Sequence, residues 1–145
     1  MLVCGASQGA SATSSTKRLR ILMDGSLAGR TVLVVEDDWF IASYVTDALG
    51  DAGARVAGPL PTADQALDRL AAPDALPDAA TLNIRLLDGD SLPVARRLDE
   101  LGVPFLFLSA SGDTALTPEM RERPRLDKPF AGFQVVRALE ELLRT

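Results

Sequence analysis

The stretch Thr31-Val32-Leu33-Val34-Val35-Glu36-Asp37-Asp38 decides the fold: a five-residue apolar run stops abruptly at three acids. The pattern recurs. Ala79 to Leu82 ends in Asn83, Val103 to Leu108 ends in Ser109, and Arg125-Leu126-Asp127 leads into Lys128-Pro129-Phe130. Short runs that are apolar at successive positions read as strands buried on both faces, which is the condition of a parallel sheet.

Helical patterns fill the intervals. Asp38 to Asp51 carries Ile41, Val45, Ala48 and Leu49 at helical spacing and closes with Gly50 and Gly53. Arg55 to Ala57 reads as a short strand that stops at a Gly58-Pro59 turn. Thr62-Ala63-Asp64-Gln65 matches a capping box opening a second helix, with Ala66, Leu67 and Leu70 on one face and a stop near Pro73. Ser91 is expected to cap a third helix running to Leu101, ended by Gly102, with Val94, Leu98 and Leu101 inward. Between Ser109 and Arg123, Gly112 and Pro118, with Pro124 just beyond, leave space for a stunted fourth helix near Thr117 to Glu122. Phe133 to Arg144 supplies the last helix, with the stripe Val135, Val136, Leu139, Leu142 and Leu143.

Strands alternating with helices imply an α/β domain, a doubly wound parallel sheet with right-handed crossovers. The flavodoxin-like (βα)5 order 2-1-3-4-5 has its switch point between strands 1 and 3, and ligands bind there at the carboxyl ends of the strands. Glu36, Asp37, Asn83, Ser109 and Lys128 all fall at such ends. Topology therefore gathers into one crevice residues that lie far apart in the chain.

The order acid pair, Asn, Ser, Lys-Pro resembles a response-regulator receiver domain of the CheY-like kind, from about residue 30 to 145. That resemblance implies that Glu36 and Asp37 help hold Mg²⁺ through oxygen. It implies that a Ser/Thr at Ser109 swings toward a phosphoryl group, and that Lys128-Pro129 is the site of a cis peptide bond. Phe107-Leu108-Ser109-Ala110, with the shortened helix 4, also resembles loosely a receiver subfamily that carries Phe-Ala-Thr-Gly after strand 4.

The departures matter more. The position that in the family accepts phosphate from a phosphohistidine is an Asp; here it is Asn83. A carboxylate is anionic at neutral pH and can attack phosphorus, whereas a carboxamide oxygen is neutral and its nitrogen is a poor nucleophile. The family's aromatic switch position is Arg125. A usual receiver pocket sets three carboxylates against Mg²⁺ and Lys, which balances to zero; Glu36, Asp37 and Lys128 alone leave −1. Arg85 lies where the family offers a backbone carbonyl to the metal. If its guanidinium folds inward the balance returns to zero with weak or absent Mg²⁺ binding. The alternative is an Arg85 that points into solvent.

Composition excludes several other functions. The chain of 145 residues is 47% apolar and 24% charged, enough for one core. Residues 1–30 hold Lys17, Arg18, Arg20 and Arg30 against Asp24, a balance of +3, leaving −8 on the rest of a chain of net −5. An acidic core argues against nucleic acid. No run reaches the roughly 18 apolar residues of a membrane span. Cys4 is the single cysteine, so no internal disulfide forms and a reducing, cytoplasmic setting fits. Gly5-Ala6-Ser7-Gln8-Gly9 matches the nucleophile-elbow spacing, but the chain has no His, so a Ser-His-Asp hydrolase, a His-ligated metal and a phosphohistidine carrier are all excluded. Residues 1–29, rich in Ser, Thr, Ala and Gly, are expected to form a disordered extension, with Met23 as a candidate natural start.

The expectation is an atypical receiver of a two-component system, without enzymatic activity. It would act by protein–protein interaction with a histidine kinase, a phosphotransfer protein or another regulator, or with a second copy through the face of helix 5. The alternative is a stand-alone response regulator that accepts phosphate on a substitute acid such as Asp88 or Asp37.

Overall fold

The computed structural model describes residues 25–110 and 117–144. Cys4, the Gly5 to Gly9 motif, Met23 and Gly112 lie outside them. The main sheet is built from β1 (Thr31–Val35), β2 (Arg55–Leu60), β3 (Ala79–Asn83), β4 (Phe105–Ser109) and β5 (Arg125–Asp127). All neighbours pair in parallel, in the order β2-β1-β3-β4-β5. The helices are α1 (Trp39–Asp51), α2 (Ala63–Leu70), α3 (Leu92–Leu101), α4 (Pro118–Arg121) and α5 (Gly132–Arg144). A two-residue antiparallel ladder, Arg85–Leu86 with Gly89–Asp90, stands apart from the sheet.

Alternation along the central strands divides the core in two. Leu33, Val35, Ala80, Leu82, Phe105 and Phe107 point to one side, against Ala66 and Leu70 of α2, Val94 and Leu98 of α3, and Met120 of α4. Val32, Val34, Ala79, Leu106 and Leu108 point to the other, against Val45 and Leu49 of α1 and Val135 and Leu139 of α5. Phe105 and Phe107 meet edge to face at 5.3 Å.

The short α4 is secured from outside. Arg96 of α3 makes a two-pronged contact with Glu119, and Arg123 makes another with Asp99 while its guanidinium lies 4.7 Å from the centre of the Phe105 ring. Four helical residues thus hold Met120 fully buried.

Several expectations are corrected. The extension does not run to residue 29: Gly25 to Arg30 form a turn in which Leu27 is buried and its N–H donates to Ala52 O at 2.8 Å. Strand β2 continues through Gly58-Pro59 to Leu60, because it is an edge strand whose proline needs no ladder partner, and a bulge between Leu33 and Val35 restores register. Both Gly58–Pro59 and Lys128–Pro129 are cis. Ser91 occupies the N-cap position of α3, but its hydroxyl makes no cap bond; Asp90 Oδ1 accepts from Leu92 N at 2.9 Å instead. Strand β4 starts at Phe105, not Val103, and includes Ser109.

Other sequence signals behave as read. Thr62 Oγ1 accepts from Gln65 N at 3.1 Å, and Gly102, with φ of 72°, lets Val103 N reach back to Leu98 O at 2.9 Å. Helix α5 begins at Gly132, one residue before the expected start at Phe133. At Gly132 a Cβ would lie 2.8 Å from that of Ala48, so glycine sets how closely α1 and α5 approach.

Candidate functional site

The crevice is built at the carboxyl ends of the strands. β1 delivers Glu36 and Asp37, and Asp38 then turns the chain into α1 by accepting from Phe40 N and Ile41 N at 2.9 and 3.1 Å. β3 delivers Asn83, β4 Ser109, and the residue after β5 is Lys128. Its N–H is tied to Ser109 O at 2.7 Å.

Asn83 is the hub. Its Nδ2 donates to Asp37 Oδ1 at 3.0 Å and to the backbone carbonyl of Arg85 at 2.6 Å, while its Oδ1 accepts from Lys128 Nζ at 3.2 Å. A carboxylate and a carbonyl only accept and an ammonium only donates, so one orientation of the amide satisfies all three partners. Lys128 Nζ also reaches Glu36 Oε1 at 3.5 Å. The carboxamide therefore binds together the ends of β1, β3 and β5.

Glu36 is only 3% exposed. Burial pushes its carboxyl up from 4.5 to about 7, against the downward pull of Lys128 and of the Asp38 N–H, whose hydrogen bond to Oε2 is 3.2 Å; the neighbouring Asp37 adds to the rise. Burial thus favours the protonated form of Glu36.

Ser109 is buried, and its hydroxyl donates to Asp127 Oδ1 at 2.7 Å. The same oxygen accepts from Arg125 Nε at 3.2 Å, and these two partners, Ser109 first, hold the Asp127 carboxyl below its usual range. Asp127 escaped the sequence reading. The available signal was its spacing: Arg125 and Asp127 share one face of β5, directly before Lys128.

Arg85 is an exposed residue whose backbone carbonyl is the group Asn83 contacts. Asp88 lies outside the crevice. Its two oxygens accept from Ala63 N and Asp64 N at 2.8 and 3.2 Å, capping α2, and the Ala63 bond chiefly holds its carboxyl low.

A divalent ion at this place would need Asp37, a carbonyl at Arg85 and an oxygen from position 83. The first two oxygens accept hydrogens from Asn83, and the atom of position 83 that faces them is a nitrogen bearing hydrogen. The residues present do not fit a divalent ion. No group of three or more His, Cys, Asp or Glu able to hold a metal occurs among the described residues.

No protein-family model matches the sequence, and no curated protein does. Solved structures match over most of the chain. SdrG from Sphingomonas melonis Fr1 is 34% identical, with 80% of this chain and 97% of that one covered and a TM-score of 0.69. The chain belongs to the response-regulator receiver family. The BeF3-activated conformation of SdrG from Pseudomonas melonis Fr1 aligns with this receiver at 35% identity and a TM-score of 0.66, covering 80% and 98% of the two chains. A signal receiver domain of a modulated diguanylate cyclase from Desulfovibrio desulfuricans G20 is 29% identical, covers 79% and 94%, and has a TM-score of 0.67. The receiver fold and its place in two-component signalling follow from these relations. Around the crevice of this receiver, Trp39, Phe40 and Leu87 are 77%, 72% and 70% exposed. No described helix is long and apolar enough to cross a membrane.

Proposed function

We propose that this protein is a pseudo-receiver: it takes no phosphoryl group at position 83 and signals by binding another protein. The observation that carries the reading is the Asn83 carboxamide, a non-nucleophile whose nitrogen and oxygen both have partners in the crevice. A histidine kinase, a phosphotransfer protein or another regulator is the partner class. Trp39 and Phe40, exposed at the start of α1 beside Asp37 and Asp38, support docking over the crevice, since large exposed aromatics anchor interfaces. A second copy through α5, where Phe133 is exposed beneath the Arg137 guanidinium, is the further expected contact. The cytoplasm is the expected location, and no enzymatic role is assigned.

The substitute-acceptor alternative has little support from geometry, because Asp88 caps α2 and Asp37 accepts from Asn83. The test is incubation of wild type and Asn83→Asp with a phosphorylated partner kinase, read by Phos-tag electrophoresis, alongside capture of that kinase. The expected result is a shifted band for Asn83→Asp alone and equal capture by both. A shifted wild-type band would overturn the reading.

A further inference from the structure

We infer that the Asn83 carboxamide nitrogen is a built-in substitute for the divalent cation, locking the crevice of this receiver without metal. Its two hydrogens engage the oxygens that a cation would otherwise draw together. In a receiver the cation draws together an acid at the end of the first strand and the carbonyl two residues past the acceptor. In this chain those groups are Asp37 and Arg85, and their oxygens lie 3.0 and 2.6 Å from one nitrogen.

An NH₂ group directs two hydrogens along separate directions, so it satisfies two acceptors at once. A Mg²⁺ ion demands oxygens at roughly 2.0–2.1 Å in octahedral array and gives up water reluctantly. Admitting it would require both hydrogen bonds to break and a carboxamide to rotate. Rotation in turn would set the NH₂ against the Lys128 ammonium, which now donates to Asn83 Oδ1 at 3.2 Å. The three contacts are mutually reinforcing: each fixes the amide orientation the other two need.

The positive end of the lock is Lys128, which also reaches Glu36. An aspartate at position 83 would keep the Lys128 contact but place an acceptor against Asp37 Oδ1 and Arg85 O. Three oxygens would then face one another with no hydrogen between them, and a cation is what such a cluster takes up. One amide-to-acid exchange thus separates a metal-free lock from a metal site.

The test is a Mg²⁺ titration followed by the side-chain NH₂ resonances of Asn83 in wild type and by Trp39 fluorescence in both wild type and Asn83→Asp. The wild-type NH₂ pair is expected to stay in place through millimolar Mg²⁺. Asn83→Asp is expected to gain a saturable Trp39 response at least about tenfold tighter than any in wild type, about 1.4 kcal/mol. Saturable movement of the wild-type NH₂ resonances below millimolar Mg²⁺ would overturn the inference, as would equal Mg²⁺ affinity in a folded Asn83→Asp. The wild-type arm decides the matter if the variant does not fold. A wild type that binds Mg²⁺ yet takes no phosphoryl group would sink this inference and leave the proposed function standing.

Discussion

The hydroxyl of Ser109 donates to Asp127 Oδ1 at 2.7 Å, so the side chain at the family's switch position is held by the strand that precedes Lys128. Arg125, at the family's aromatic position, donates to that same oxygen at 3.2 Å. Ser109 and Arg125, the two switch positions, therefore belong to one hydrogen-bonded unit centred on Asp127. Asp127→Ala is expected to release the Ser109 rotamer, visible as averaged side-chain couplings in NMR, while the Asn83 resonances stay put. Unchanged Ser109 couplings would show that burial alone fixes the hydroxyl.

Glu36 gives the crevice a pH dependence with a definite sign. Its folded value, about 7, lies above the 4.5 of an unperturbed carboxyl, so the folded state keeps a proton that the unfolded chain has lost. The contribution is fully present below the unfolded value and is lost as pH rises from 4.5 to about 7. The loss amounts to about 3 kcal/mol at most. Denaturant midpoints at points across that window should fall for wild type, and Glu36→Gln should remove this part of the slope. A parallel slope in Glu36→Gln would place the proton elsewhere.

Gly132 fixes the contact between α1 and α5. Gly132→Ala would put a methyl 2.8 Å from the Ala48 Cβ, and overpacking of this kind costs about 1–3 kcal/mol. The Tyr44 hydroxyl accepts from Gly132 N at 2.9 Å, so Tyr44→Phe should cost about 1 kcal/mol. Urea unfolding of both variants checks the pair; an unaltered Gly132→Ala midpoint would mean that the helices part without cost.

Arg123 does two things for the short α4, pairing with Asp99 and covering Phe105, whereas Arg96 pairs with Glu119. Arg123→Ala should cost about 1 kcal/mol. Arg96→Ala should cost measurably less and be masked by salt, since its pair stands in water. Thermal melts at low and high ionic strength separate the two.

Much of this was legible in the sequence. The abrupt ends of TVLVV and AATLN, and their partners near Ser109 and Lys128, located every strand that bears the site, because parallel strands buried on both faces leave uninterrupted apolar runs. The extent of β2 was hidden by Pro59, a residue that breaks central strands and is harmless at an edge. The capping by Asp90 was hidden by Ser91, an equally good capper one position on. The contact from Asn83 to the Arg85 carbonyl was out of reach for a different reason. A side-chain type can be read from a sequence, but the direction of a backbone carbonyl belongs to the folded turn.

Position 83 decides whether this receiver can take a phosphoryl group, and its chemistry can be read directly. Wild type and Asn83→Asp, each incubated with a small phosphodonor and Mg²⁺, should be followed by intact mass and by peptide mapping under conditions that preserve acyl phosphates. The expected result is one phosphoryl group on Asn83→Asp, at position 83, and none on wild type. A stoichiometric acid-labile phosphoryl group on the wild-type protein, mapping to Asn83 or to Asp37 beside it, would contradict it.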